Sequence, residues 1–178
     1  MADLAFEQNP SAFSKEKFMG TWHVAHSTLA MWRKDKFRPR IVYGALPDGR
    51  WTDEVLYEVA SGKGVTEKNI TGIDSSLEKA TRFRWRGNGL LWLVKCDCEV
   101  LAWDPEWQWC VVEFGKTPFT DSGIDVYSRI EGPLPQEKLD AILAVVLKEP
   151  RIADMVKAVG GVHTTLRRPD TVTQTGCM

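Results

Sequence analysis

The sequence predicts an all-β domain in which eight antiparallel strands wind in up-and-down order into a barrel, with an α-helix following the last strand. Three observations carry this. Gly20-Thr21-Trp22 opens a run that alternates apolar and polar residues, so a strand starts there with an indole placed to plug a barrel floor. Seven further strand-like runs follow as far as Ile130, several separated by turn residues such as Pro47-Asp48-Gly49-Arg50. Beyond Ile130 the period changes: between Gln136 and Lys148, Leu139, Ile142, Leu143, Val146 and Leu147 recur at helical spacing.

A chain of 178 residues suits one domain with its own core. The expected division is an arm over residues 1–14, a single domain over 15–168 and a disordered tail over 169–178. A net charge of -1 gives no reason to expect nucleic acid or an anionic membrane as partner. The cluster Arg33, Lys34, Lys36, Arg38 and Arg40 reads as a solvated loop face. Asp3, Glu7, Lys15, Glu16 and Lys17 leave no room for a secretion signal, and no later run is long and uncharged enough to span a bilayer. Cytoplasmic residence is therefore expected, with Cys96, Cys98, Cys110 and Cys177 as free thiols. Cys96-Asp97-Cys98 lacks zinc-site spacing and the three histidines are scattered, so no metal is expected. No phosphate loop, dinucleotide fingerprint or nucleophile elbow occurs, which argues against kinase, dehydrogenase and hydrolase chemistry and for the absence of a cofactor.

In chain order, Gly20 to Leu29 alternates so that Trp22, Val24 and His26 share one face. The charged and aromatic stretch Ala30 to Pro39 reads as a loop capping an open barrel end. Arg40 to Leu46 and Trp51 to Val59 form a hairpin in which Trp51, Val55 and Tyr57 face inward. A two-residue turn at Asp48-Gly49 pairs Arg40 with Tyr57 and Val42 with Val55, which directs Arg40 into the barrel mouth. Two shorter strands follow, Glu67 to Ile73 and Ala80 to Arg86. In the second, Phe83 and Trp85 alternate with arginines and are candidates to line the interior. Leu90 to Val94 either continues the sheet or forms an apolar flap. In the next hairpin, Cys96, Cys98 and Val100 face inward on one reading and Asp97, Glu99 and Leu101 on the other, whereas Cys110 and Val112 face inward on both. Gly123 to Ile130 closes the sheet. Pro150 stops the first helix, and Arg151 to Val159 makes a second.

Gly20-Thr21-Trp22 and the late strand end Ser128-Arg129 resemble the lipocalins of the calycin superfamily, over roughly residues 15 to 150. Fatty-acid-binding proteins open with a similar Gly-Thr-Trp, but that fold needs nothing after its last strand. About forty residues here lie beyond Ile130. The turn at Asp104 keeps only the aspartate of the usual lipocalin Thr-Asp-Tyr, so the chain looks like an outlying or intracellular member. The resemblance places the helix outside the barrel. It also implies that Gly20, Trp22 and Arg129 build the floor, the guanidinium lying on the indole.

The function that follows is binding of a small hydrophobic or amphipathic molecule by a monomer or homodimer, with His26, Arg40, Val42, Trp51, Val55, Tyr57, Phe83, Trp85, Cys110 and Val112 as candidate ligand contacts. Arg40 suits a carboxylate or enolate, or else lies on the surface. The same cavity also admits cofactor-free isomerisation or cyclisation of a terpenoid, polyene or polyketide-like substrate, since lipocalin-like folds include isomerases and cyclases. His26 as general base and Cys110 as nucleophile are the catalytic candidates, against the plainer readings of a hydrogen-bonded wall histidine and an inert buried thiol.

Overall fold

The computed structural model describes residues 7–62 and 64–165. Strands β1 (Gly20–Ser27), β2 (Phe37–Ala45), β3 (Trp51–Ser61), β4 (Gly64–Ser76), β5 (Arg82–Gly87), β6 (Lys95–Trp103), β7 (Trp109–Phe114) and β8 (Gly123–Ser128) pair antiparallel with their sequence neighbours. The barrel closes because β1 pairs with β2 on one edge, from Gly20↔Tyr43 to His23↔Arg40, and with β8 on the other. Above His23 the β2 edge parts from β1, and a two-residue strand β9 (His163–Thr164) pairs with His26 and Ser27 instead. The tail expected from residue 169 lies outside the described residues.

The floor follows from the first strand. Gly20 sits at φ +94°, a conformation open to glycine and costly for other residues, and this turns the short helix α1 (Lys15–Phe18) into β1. Arg129 stacks 3.5 Å from the Trp22 ring centroid. Its guanidinium also donates to the carbonyls of Thr21, Lys17 and Met19 at 2.8, 2.6 and 2.9 Å. The Trp22 indole N–H donates to Phe18 O at 2.7 Å, so the plug has no unmet polar group. Residues 7–13 run beneath: Glu7 bridges to Trp103, and Phe13 packs edge-on against Trp103 and Trp107.

Two apolar clusters share the sheet. One fills the barrel, with Trp22 of the floor packed together with Phe18, Trp51, Phe83, Trp103 and Cys110. The other lies outside, where α2 (Gln136–Val146) and α3 (Pro150–Ala158) cover the outer faces of β6 to β8. Leu139, Ile142 and Val146 of α2 meet Ala102, Trp109, Val111, Ile124 and Val126 there. Each large side chain buried in this seam contributes roughly 1.5–3 kcal/mol.

Local departures from regular pairing decide which residues face inward, and β2 itself carries one between Phe37 and Arg40. The β2–β3 turn spans Leu46 to Arg50, closed by Leu46 N–H to Arg50 O at 2.9 Å and Gly49 N–H to Leu46 O at 3.1 Å. Arg40 therefore pairs with Leu56, Ile41 with Val55 and Val42 with Glu54, one residue away from the register that a two-residue turn gives. In β1 a bulge between Val24 and His26 breaks the alternation, and in β6 another falls between Val100 and Ala102.

Candidate functional site

Above the packed floor layer the barrel holds a cavity of ≈ 440 Å³. Its inner end is formed by Tyr43, Asp53, Cys98, Asp125 and Tyr127, with Asp74 behind Asp53 on the neighbouring strand. Ile41, Val55, Ile70, Trp85, Cys96, Val112 and Phe114 make the walls. The mouth is ringed by Leu29, Met31, Trp32 and Lys36 from the β1–β2 loop, Tyr57 from β3, Leu91 and Val94 from the β5–β6 loop, and Phe119 from the β7–β8 loop. Leu90 to Val94 thus lies at the opening, where Leu90, Trp92 and Leu93 are exposed. The Trp85 indole lies over Gly72 of β4, where an added Cβ would meet Trp85 Nε1 at 2.1 Å. A glycine there sets how far the indole stands back from the cavity.

The inner end is polar in a particular way. Asp53, Asp74 and Asp125 are buried, and Asp53 Oδ1, both Asp74 carboxyl oxygens and Asp125 Oδ1 form no well-aligned hydrogen bond among the described residues, although the Trp51 indole lies toward Asp74 and the Ser27 hydroxyl toward Asp125. Burial raises the pKa of Asp125 from 3.8 to about 7, against the lowering contact with Ser27. Burial also raises Asp53 and Asp74, and Asp74 rises further because the Asp53 carboxylate faces it. Two ionised carboxylates cannot hydrogen-bond each other, but a protonated Asp74 can donate to Asp53, so the pair is arranged to share a proton. Tyr43 and Tyr127 have phenols raised well above their ordinary value, chiefly by burial, and stay protonated donors. Cys98 donates toward Cys96 with sulfurs 3.9 Å apart, which raises the Cys98 thiol and lowers that of Cys96. Among the described residues no group of three or more His, Cys, Asp and Glu side chains is placed to hold a metal ion.

No family model and no curated protein matches the chain. Solved structures do match. The siderocalin Ex-FABP aligns over 86% of this chain and 97% of its own, at 14% identity and a TM-score of 0.52. Apocrustacyanin C2 aligns over 87% of this chain and 80% of its own, at 11% identity and a TM-score of 0.58. Both are lipocalins. This chain has the lipocalin fold. At such identities the likeness is one of architecture, and what the lipocalin barrel of this chain can do has to be read from its own side chains.

Of the residues expected to contact a ligand, Val55, Tyr57, Trp85 and Val112 line the cavity. Arg40 and Val42 do not. The one-residue difference at the Leu46–Arg50 turn puts Ile41 and Tyr43 inside, and Arg40 forms an ion pair with Glu67 on the outer face. Trp51 and Phe83 point inward but too near the floor, where their rings pack 5.4 Å apart below the cavity. Cys110 is fully buried in the same layer, and burial pushes its thiol far above the ordinary value, so no thiolate is present to act as nucleophile.

His26 is the sharpest correction. After the β1 bulge it pairs with Val126, which belongs to the outer cluster, so its ring faces away from the cavity. Its Nε2 accepts from Leu134 N–H at 3.0 Å and its Nδ1 lies 3.3 Å from Thr164 Oγ1. Burial lowers its pKa and keeps the ring neutral, as that acceptor role requires. The ring pins the segment leading to α2 and β9 against the barrel wall. In β6, Cys96, Cys98 and Val100 are the inward set up to the bulge. The sequence carries a signal for the acids in its alternation: Asp53 shares parity with Trp51, Val55 and Tyr57, and Asp125 with Tyr127.

Proposed function

We propose that this chain binds a small hydrophobic or amphipathic molecule inside its barrel, as an intracellular carrier. The observation that supports this reading is the ≈ 440 Å³ hollow, walled by aliphatic and aromatic side chains and open at one end. That volume lies within the roughly 300–1,000 Å³ of small-molecule sites. The two lipocalins of like fold point the same way, one of them described as acting through dual ligand specificities. Cys96, Cys98 and Cys110 are free, in keeping with a reducing compartment. Titration with an apolar fluorophore tests the reading. Saturable quenching of Trp32 and Trp85, abolished when Val112→Trp fills the hollow, is the expected result; a filled variant that binds as well as wild type would sink it.

A second reading, cofactor-free isomerisation or cyclisation of a small apolar substrate, has one observation in its favour. Asp53 and Asp125 meet an apolar space with pKa values raised toward neutrality, the condition for a carboxyl to give and take protons near pH 7. Any such activity runs through these acids, not His26 or Cys110. Product analysis with candidate polyenes decides it: turnover lost in Asp125→Asn supports catalysis, and turnover unchanged in Asp53→Asn and Asp125→Asn refutes it.

A further inference from the structure

The inner end of the cavity offers acceptors and almost no positive charge. Asp53 Oδ1 and Asp125 Oδ1 are buried without a well-aligned hydrogen bond, and both residues line the hollow. Leaving such an acceptor unmet costs roughly 1–3 kcal/mol, so a group from outside the chain is the natural complement. The titratable groups around them are themselves acids or weak acids: Tyr43 and Asp74 on the strands flanking Asp53, Tyr127 beside Asp125, and Cys96 and Cys98 across the barrel. Ser27 of β1 and Val112 of β7 flank Asp125 and bring no charge. The cations lie elsewhere. Lys36 is at the rim, over the Tyr57 ring at 5.6 Å; Arg129 is beyond the Trp22 floor; Arg40 and Arg84 are tied to Glu67 and Asp97 outside.

A carboxylate-headed lipid entering head first would meet two carboxyls and no counter-charge. We propose that the ligand is instead a hydrophobic amine, whose protonated nitrogen enters first and is held between Asp53 and Asp125 while its apolar body fills the walls. This rests on the cavity-binding reading. The ammonium supplies the missing donors, and its charge favours ionised acids, so complex formation near neutral pH releases protons that the free barrel holds.

Matched probes test it: n-decylamine, n-decanol and n-decanoate titrated by tryptophan fluorescence at pH 6.5, with calorimetry in two buffers of different ionisation enthalpy to count protons. The expected order is amine, alcohol, carboxylate, with the amine ahead of the alcohol by about tenfold or more. Proton release should accompany the amine alone. In Asp53→Asn and Asp125→Asn, decylamine affinity should drop to about that of decanol measured on the same variant. Decanoate binding as tightly as decylamine, or Asn variants that keep the amine preference, overturns the proposal. If decanol binds and decylamine gains nothing over it, this inference alone falls. If none of the three binds, the cavity-binding reading falls with it.

Discussion

Asp125 gives the most direct quantitative test of the buried-acid arrangement. The residue is 3% exposed, and its pKa rises from 3.8 to about 7 mainly through burial. As pH climbs past 3.8 the unfolded chain releases this proton, while the folded barrel keeps it until about 7. Across that window the unfolded state binds fewer protons, so stability falls as pH rises; below it the carboxyl imposes no ionisation penalty, and above it the penalty is complete. Each tenfold difference in proton affinity is worth about 1.4 kcal/mol, so about three of them give at most about 4 kcal/mol. Asparagine keeps the shape, can still engage Ser27 and never ionises. Asp125→Asn should therefore match wild type near pH 4 and gain progressively up to pH 8, by as much as about 4 kcal/mol. Urea unfolding followed by tryptophan fluorescence at pH 4, 5.5, 7 and 8.5 measures the difference. A difference that does not vary with pH, or a variant less stable than wild type at pH 8, refutes the reasoning.

Removing the floor clamp with Arg129→Met should lower stability by about 2–4 kcal/mol, because three carbonyls lose their donor together with the cation–π contact; thermal denaturation reads this, and an unchanged melting temperature contradicts it. Gly72→Ala should both destabilise the barrel and weaken probe binding, since its Cβ would lie 2.1 Å from Trp85 Nε1 and 2.6 Å from Arg86 O. An alanine variant with wild-type affinity and stability would show that Trp85 has room to move. Arg40→Ala should leave apolar-probe affinity within about twofold of wild type whereas Tyr57→Ala weakens it, because only Tyr57 lines the cavity. Cys110 should resist alkylation in the folded protein while Cys96, at the cavity wall with a lowered thiol pKa, reacts first of the three described cysteines; mass spectrometry of the labelled chain distinguishes them.

Much of the architecture was legible in the residues. Gly20, Trp22 and Arg129 marked the floor because a glycine-to-indole opening and a late arginine each meet a local steric or electrostatic demand that few other side chains satisfy. The inward set of β3 followed from period two alone, and α2 from the recurrence of Leu139, Ile142 and Val146. The site was less legible. A two-residue turn points Arg40 and Val42 inward, and unbroken alternation through Ala25 points His26 inward; in a strand, a shift of one residue reverses every side chain beyond it. Asp53 and Asp125 had the right parity to be noticed, yet acidity on an apolar face reads as surface until the barrel closes around it.

The sequence by itself determined the strands and the helix that follows them, because alternation and helical spacing are properties of short stretches, and its resemblance to the lipocalins placed that helix outside and Arg129 on the floor. Only the tertiary structure decided which side chains meet across the hollow. Turn length and bulges settle that, and their cost depends on the partner strand: the Leu46–Arg50 turn is set by how β2 fits β3, and the Ala25 bulge by how β1 serves β8 and β9 at once. The raised pKa values of the three aspartates arise the same way, from desolvation by residues far away in the chain.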